Sequence, residues 1–117
     1  MNNRGIHILA DFYECDFDKI SRLSKKIKQL FSSMIKDSGL TEVGSLYHFF
    51  DKINFTMITA ISESHVAVHT WPEDHYVSAG IFVCNYSKNN EVSASRVYED
   101  LLLLFSSKKA HRRIINR

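Results

Sequence analysis

Residues whose side chains could do chemistry concentrate between positions 63 and 84 of this chain. Ser64 follows an acidic residue, Glu63, and a serine hydroxyl can attack the carbonyl carbon of the preceding residue through a five-membered ring, which converts the amide into an ester. His69 carries an imidazole, which is suited to general base catalysis near neutral pH. Cys84 carries a thiol that can donate a proton. The segment therefore offers a nucleophile, a base and an acid.

Each of these side chains also has a commoner structural interpretation. A cysteine at the end of an apolar strand is usually a small buried hydrophobe, and a single strand histidine usually has only a structural role. Three histidines, His65, His69 and His75, could suggest a metal site. No carboxylate–histidine helix motif accompanies them, so no metal is expected.

The order of these residues in the chain gives them a context. The run ESHVAVHTWPE, followed two residues later by YVSAGIFVC, closely resembles the prokaryotic S-adenosylmethionine decarboxylase proenzymes, a pyruvoyl-dependent and self-cleaving family. The opening GIHILADFYEC is similar to the first strand of that family. The resemblance spans most of the chain, and the elements ESH, HTWPE and FxC at this spacing are far more specific than a lone short motif.

The resemblance implies that the chain cuts itself between Glu63 and Ser64, which leaves a β chain of residues 1–63 and an α chain of residues 64–117. Ser64 would become a covalent pyruvoyl group, the cofactor of the reaction. In this family the ketone of that group forms a Schiff base with the substrate amine and accepts electrons as carbon dioxide leaves, in place of pyridoxal phosphate.

Further roles carry over by position. His69 matches the processing acid/base of the family, and Thr56 matches a hydroxyl residue that assists it. Cys84 matches the acid that protonates the product carbon. For the substrate, Glu73 matches a glutamate that binds ribose hydroxyls, and Phe50 matches a phenylalanine that stacks on adenine, although core or dimer packing would explain Phe50 as well.

These matches imply decarboxylation of S-adenosylmethionine, which supplies aminopropyl groups for spermidine and so for polyamine biosynthesis. The chain also departs from the family pattern at five positions, which are Glu14, Asn54, Met57, Gly80 and Asn85. Because the departures concern the substrate more than the cofactor, a pyruvoyl-dependent arginine or ornithine decarboxylase is an alternative. An unprocessed, catalytically silent regulatory or binding subunit is an alternative from another class.

Two kinds of periodicity predict the elements that must position these residues. Apolar residues recur every three or four positions over residues 18–38 and again over residues 93–105, which predicts two amphipathic helices. Asp16 or Asp18 is expected to cap the first helix, and Gly39 to end it. Alternating or β-branched runs predict strands at residues 6–13, 42–50, 55–61, 65–71 and 76–84, with a last strand around Ile114 and Ile115.

Four consecutive strands without intervening helices imply antiparallel hairpins. The expected fold is therefore α+β, a two-layer sandwich in which an antiparallel sheet carries two helices on one face. Nothing in the sequence marks a boundary, so residues 1–117 are expected to form a single domain. The uncovered face of the sheet predicts a homodimer, and in the family the active sites draw on both protomers.

Composition excludes several classes of protein. The chain has 44% hydrophobic and 24% charged residues and a net charge of +2, which is ordinary for a globular domain. Its basic residues do not form one footprint, so no nucleic acid is expected as a partner. No apolar run approaches a membrane span, and residues 1–4 lack the pattern of a signal peptide. With only two cysteines, a cytoplasmic location is expected.

Overall fold

The computed structural model describes residues 4–117, so residues 1–3, part of the N-terminal segment considered for a signal peptide, lie outside the described residues. The elements, in chain order, are β1 (Gly5–Tyr13), α1 (Phe17–Leu23), α2 (Ile27–Asp37), β2 (Glu42–Phe49), β3 (Phe55–Ile61), β4 (Ser64–Trp71), β5 (Tyr76–Cys84), α3 (Glu91–Leu104) and β6 (Lys109–Asn116). Short 3₁₀ turns lie at Ser24–Lys26 and Pro72–Asp74.

The strands form one six-stranded sheet in the order β2-β3-β4-β5-β1-β6. Every neighbouring pair is antiparallel. The strands β2 to β5 follow one another as hairpins, whereas β1 lies between β5 and β6. The predicted α+β two-layer fold with an antiparallel sheet is confirmed, and so is a last strand at the C-terminal isoleucines.

The two faces of the sheet differ because side chains alternate along each strand. One set is fully buried under the helices and includes Ile8, Phe12, Met57, Val68 and Ile81. The opposite face, here called the open face, retains exposed apolar side chains: Leu9, Tyr13, Leu46, Ile58, Trp71 and Ile115. The helices therefore bury only one face of the sheet.

The prediction of one continuous helix over residues 18–38 is wrong in one respect. A 3₁₀ turn at Ser24–Lys26 separates α1 from α2, and this turn has no buried residue. Because none of these three residues packs in the core, core packing does not favour the α-helical period there, and Ile27, the next residue, is buried. The ends are as expected: Asp16 accepts a hydrogen bond from the Lys19 amide at 3.0 Å, and Gly39 has φ of +91°.

Other boundaries differ from the predictions by one or two residues. Strand β2 ends at Phe49, which leaves Phe50 in the following turn, and α3 begins at Glu91. Strand β4 begins at Ser64. Across residues 4–117 no helix combines the length and the apolar character needed to cross a membrane.

Candidate active site

The turn between β3 and β4 holds the bond predicted to be cut. Strand β3 ends at Ile61 and β4 begins at Ser64, so only Ser62 and Glu63 connect the two strands. The amide of Ser62 donates to the carbonyl oxygen of Thr41 at 3.0 Å, which anchors the turn. The Oγ atom of Ser64 is buried and has no hydrogen-bond partner within residues 4–117. Within that part of the chain, this hydroxyl is therefore not committed to another donor or acceptor.

The carbonyl group of Glu63 is held at the end of β5. Pairing of Ser64 with Val83 brings the turn beside Cys84. The backbone amide of Cys84 donates to the carbonyl oxygen of Glu63 at 3.0 Å. This oxygen would carry negative charge if Ser64 attacked the carbonyl carbon, and a fixed N–H donor at this distance would stabilise that charge.

The side chain of Glu63 is also fixed. Its Oε1 accepts from the Ser87 amide at 2.6 Å, and its Oε2 accepts from Asn90 Nδ2 at 3.0 Å. Hydrogen bonds from Ser87 and Asn90 lower the pKa of Glu63, and the nearby charge of Lys88 acts in the same direction. The carboxylate is thus favoured in its ionised form.

Asn90 links this turn to the start of α3. Its side chain is 1% exposed, and its Nδ2 also donates to the carbonyl oxygen of Cys84 at 2.8 Å. Its backbone carbonyl accepts from the Ala94 amide at 3.0 Å, and its own amide donates to Asn85 Oδ1 at 2.9 Å. We call Glu63, Ser64, Cys84 and Asn90 the cleavage end of the sheet.

Close packing of β1 against β5 completes the cleavage end. Gly5 pairs with Cys84, and a Cβ added at Gly5 would lie 2.1 Å from the carbonyl oxygen of Val83. Only glycine fits without a shift of one of the two strands. The approach of β1 therefore fixes the position of the last residues of β5.

A surface cavity of about 350 Å³ lies at the cleavage end and is lined by Ser62, Glu63, Ser64, His65, Phe82, Cys84 and Tyr86. Ser64 and Cys84, which lie 20 positions apart in the sequence, both line this cavity. A larger cavity of about 550 Å³ lies elsewhere and includes none of the predicted site residues. The smaller cavity is the candidate site because the residues on both sides of the predicted cut, and Cys84, line it.

A second group of predicted residues lies farther along β4. Thr56 pairs with His69 across β3 and β4, and Thr56 Oγ1 lies 3.3 Å from His69 Nδ1. The ring of Trp71 lies 6.3 Å from that of His69. These side chains fall on the open face, in the same alternating set as Trp71 and Ile58. We call Thr56 and His69 the histidine pair.

The cleavage end and the histidine pair are separate within one chain. Ser64 and His69 are five residues apart on the same strand, which corresponds to roughly 16 Å at about 3.3 Å per residue. An odd separation also places their side chains on opposite faces of the sheet, and Ser64 is level with buried Val83. One protomer therefore does not bring this base to this serine.

The two predicted substrate-binding residues also lie away from the cleavage end. Glu73 is exposed in the 3₁₀ turn that follows β4, and Phe50 is 66% exposed in the turn after β2. The Phe50 ring contacts the His48 ring edge-on, with centroids 4.6 Å apart. Phe50 is therefore not a core residue of the protomer, and packing in its own core does not explain it.

The five departures from the family pattern have different structural settings. Glu14 adopts a left-handed backbone with φ of 55°, a conformation that favours glycine. Met57 is fully buried in the core, and Asn54 Oδ1 accepts from Thr70 Oγ1 at 3.3 Å. Asn85 bonds Glu91 and Asn90, and a Cβ at Gly80 would lie 3.4 Å from His7 Nε2. Of these, only Asn85 belongs to the network around the cleavage end.

Sequence reasoning missed Asn90, Ser87 and Gly5. The first two lie in a loop whose only signal was a run of small polar residues before α3, and Gly5 was read simply as part of a strand motif. It also missed an aromatic and basic group beside the cleavage end, in which the His7 ring lies 6.0 Å from the His65 ring and 5.6 Å from the Phe82 ring.

Within residues 4–117, no group of three or more His, Cys, Asp or Glu residues is placed to hold a metal ion.

Comparison with known proteins gives one consistent family. A family model described as S-adenosylmethionine decarboxylase matches residues 6–117. An S-adenosylmethionine decarboxylase proenzyme of Persephonella marina is 36% identical over 80 residues, covering 68% of this chain and 59% of that protein. A proenzyme of the same name from Thermotoga maritima is 32% identical over 111 residues, covering 95% of this chain and 82% of that protein.

A solved structure agrees with these sequences. The crystal structure of the adenosylmethionine decarboxylase from Aquifex aeolicus superimposes with a TM-score of 0.84 at 27% identity. The match covers 100% of this chain and 92% of that one. The fold seen here is thus shared over its whole length.

Proposed function

The chain belongs to the S-adenosylmethionine decarboxylase family, and we propose that it is a proenzyme that cuts itself between Glu63 and Ser64 and then decarboxylates S-adenosylmethionine. The observation that carries this proposal is the 3.0 Å hydrogen bond from the Cys84 amide to the carbonyl oxygen of Glu63. The bond to be cut is thereby polarised at the oxygen where negative charge would develop. The function would be to supply aminopropyl groups for spermidine.

The first step is an acyl shift from nitrogen to oxygen. Ser64 Oγ attacks the carbonyl carbon of Glu63, the hydroxyl proton passes to the leaving amide nitrogen, and the carbon–nitrogen bond breaks to give an ester. The reaction is intramolecular, so its entropy cost is small. The Cys84 amide stabilises the oxyanion, and the Ser64 hydroxyl has no hydrogen bond to residues 4–117 that must be broken first.

The second step breaks the ester by β-elimination. A base removes the α-proton of Ser64, and the carboxylate of residue 63 leaves with the bonding electrons. The dehydroalanine left at residue 64 tautomerises to an imine, and water converts it to a pyruvoyl group with release of ammonia. We propose His69 as this base, with Thr56 Oγ1 fixing the ring through Nδ1.

The distance between Ser64 and His69 leads to a proposal about assembly. Because one protomer holds its own His69 roughly 16 Å from Ser64 and on the other face, we propose that the histidine comes from a second copy in a homodimer. The open face is the natural contact surface, since it carries the histidine pair among exposed apolar side chains. A two-fold axis through the open face would place the histidine pair of each protomer against the cleavage end of its partner, where the base has to reach the α-proton of Ser64 and not the Oγ on the helix side.

The site fits a pyruvoyl group at residue 64. Ser64 is the first residue of β4, its buried Oγ has no hydrogen-bond partner among the described residues, and the residue lines a cavity of about 350 Å³. A pyruvoyl group there would supply an electron sink for decarboxylation of a bound amine. Cys84 lines the same cavity, and we propose that its thiol delivers the proton that the product carbon requires.

The relatives named above support S-adenosylmethionine as the substrate. In this chain we propose that Glu73 accepts hydrogen bonds from the ribose hydroxyls and that Phe50 stacks on the adenine. Both are exposed and lie away from the cleavage end of their own protomer. They would therefore serve the site of the partner, as would the histidine pair.

Two measurements test the proposal together. Denaturing mass spectrometry should show two fragments, residues 1–63 and a pyruvoyl-blocked 64–117. The cleaved protein should release carbon dioxide from S-adenosylmethionine much faster than from arginine or ornithine. A single uncut chain would reject the proenzyme, and a preference for arginine or ornithine would reject the substrate.

A further inference from the structure

Asn90 is the residue that ties the cleavage turn to the rest of the fold, and no motif pointed to it. We propose that Asn90 is a positioning residue for self-cleavage, which holds the carbonyl of Glu63 against the amide of Cys84. The inference rests on the proposed function, because it concerns the rate of that cut. It does not involve substrate binding.

The geometry of the Asn90 side chain supports this role. One amide nitrogen donates to two groups, Glu63 Oε2 at 3.0 Å and the carbonyl oxygen of Cys84 at 2.8 Å. Both partners are acceptors, so the nitrogen and not the oxygen of the amide must face them. A single planar group therefore joins the two residues whose backbone atoms form the critical hydrogen bond.

This link restricts the motion that would break the oxyanion contact. Glu63 lies in the two-residue turn between β3 and β4, and Cys84 lies at the end of β5, where strands commonly fray. With both residues bonded to Asn90, the turn and the strand end move together. A displacement of about 1 Å between reacting groups can cost about a hundredfold in rate.

The Asn90 side chain is not explained as a helix cap. It makes no capping hydrogen bond to the first turn of α3. The neighbouring Asn89 makes such a contact instead, because its Oδ1 accepts from the Glu91 amide at 2.8 Å. Asn90 Oδ1 is buried without a hydrogen-bond partner within the described part of the chain. Burying an unsatisfied oxygen costs free energy, which the two hydrogen bonds donated by Nδ2 must offset.

The test compares two asparagines at the start of the same helix. Each chain is made by a pulse of cell-free synthesis, and the uncut fraction is followed over time by denaturing mass spectrometry. Asn90→Ala should cut about 10 to 100 times more slowly than the unaltered chain. Asn89→Ala should cut at the unaltered rate, since it removes a contact of α3 without touching Glu63 or Cys84.

A double-mutant cycle separates positioning from general stability. Glu63→Ala keeps the carbonyl that is attacked but removes one acceptor of Asn90. The slowing caused by Asn90→Ala should therefore be several times smaller in the Glu63→Ala background. Multiplicative effects would show that Asn90 does not act through Glu63 and would overturn the inference.

A conservative variant covers loss of folding. If circular dichroism shows that Asn90→Ala is unfolded, Asn90→Leu replaces it, because leucine fills a similar volume without a buried charge and has no donor. It should also cut at least tenfold more slowly, by the loss of both donated bonds. Cutting at the unaltered rate in a folded Asn90 variant overturns this inference alone, whereas an unaltered chain that never cuts overturns the proposed function and this inference with it.

Discussion

The cleavage end and the histidine pair belong to the same sheet, but they differ in what holds them. At the cleavage end, Glu63 and Cys84 are fixed by backbone and side-chain hydrogen bonds from the loop before α3. The histidine pair has one 3.3 Å contact between its own members and lies on the open face. The fold of one chain can therefore position the bond proposed to be cut, whereas the proposed base must reach that bond from another protomer.

The largest effect should come from Ser64→Ala. Alanine lacks the hydroxyl proposed to attack Glu63, so cleavage should be abolished, while the sheet loses little because the serine Oγ makes no hydrogen bond within residues 4–117. Denaturing mass spectrometry should show one full-length chain with an unchanged circular dichroism spectrum. Ser62→Ala, in the same turn, is the control and should cut normally. Fragments of normal size from Ser64→Ala would refute the acyl shift.

His69→Ala tests the role of the histidine pair. Loss of the base should slow cutting by about 10²–10⁴-fold. His111→Ala is the control, because His111 lies in the same cross-strand row of the sheet, at the edge strand β6. It should cut at the normal rate.

The same variant can show whether the base crosses between protomers. When His69→Ala and Ser64→Ala chains are folded together, mixed dimers should cut the His69→Ala chain, which keeps its serine and borrows a histidine. The Ser64→Ala chain should stay whole. No cutting in the mixture, with mixed dimers present by native mass spectrometry, would mean that each chain uses its own histidine.

Cys84→Ala should separate cutting from turnover. The backbone amide that faces the Glu63 carbonyl is retained, so the chain should still cut, but release of carbon dioxide should fall by about 10²-fold because the proposed proton donor is missing. Cys15→Ala is the matched control, since the Cys15 thiol is buried and bonded to the carbonyl of Phe12. Full turnover by Cys84→Ala would assign the proton to another group.

Gly5→Ala should affect the cleavage end through packing. The added Cβ would lie 2.1 Å from the Val83 carbonyl oxygen, so β1 and β5 must separate, at a cost of about 1–3 kcal/mol. Urea unfolding of the uncut Ser64→Ala background measures that cost. Gly44→Ala is the control, because a Cβ there meets nothing within 4 Å. Equal stability of both variants would contradict the close approach.

The smallest effect concerns pH. Burial, with the nearby charges of His65 and Arg117, lowers the pKa of His7 in the folded protein. The unfolded chain then binds the proton more tightly, so this contribution to stability is present above a pH of about 6.5 and is lost as pH falls through the lower folded value. His7→Gln should flatten the decline of Tm between about pH 6.5 and 5. An unchanged slope would remove His7 from this role.

Much of the fold could be predicted because strand alternation is a local property. Strands Phe55–Ile61 and Tyr76–Cys84 have the boundaries expected from their side-chain pattern. The break at Ser24–Lys26 could not be predicted from the sequence, because the apolar residues on both sides of it keep a helical period. The position of the turn depends on how Ile27 packs in the core, which is a tertiary contact.

The candidate site shows a different limit. Residues of the cleavage motif were found because they are close in sequence, but closeness in sequence does not measure distance along a strand, as Ser64 and His69 show. The contacts of Asn90 join residues 27 positions apart, Glu63 and Asn90 themselves. Such a contact depends on how the loop before α3 packs against the turn between β3 and β4, and the spacing of apolar residues in the sequence does not predict that packing. The roles of Ser64, His69 and Cys84 stay predictions until the variants are made.

The order of strands in the sheet determines how the protein could refold before and after the proposed cut. A cut after residue 63 would assign β1, β2 and β3 to one product and β4, β5 and β6 to the other. Because the sheet order is β2-β3-β4-β5-β1-β6, the two products would meet along three seams, β3 with β4, β5 with β1, and β1 with β6. The uncut chain folds as one molecule, at a rate independent of concentration. After unfolding, the two fragments of the cut protein would have to associate before the sheet could form again, so refolding would depend on their concentration. The mature form would therefore be maintained mainly by a slow rate of unfolding.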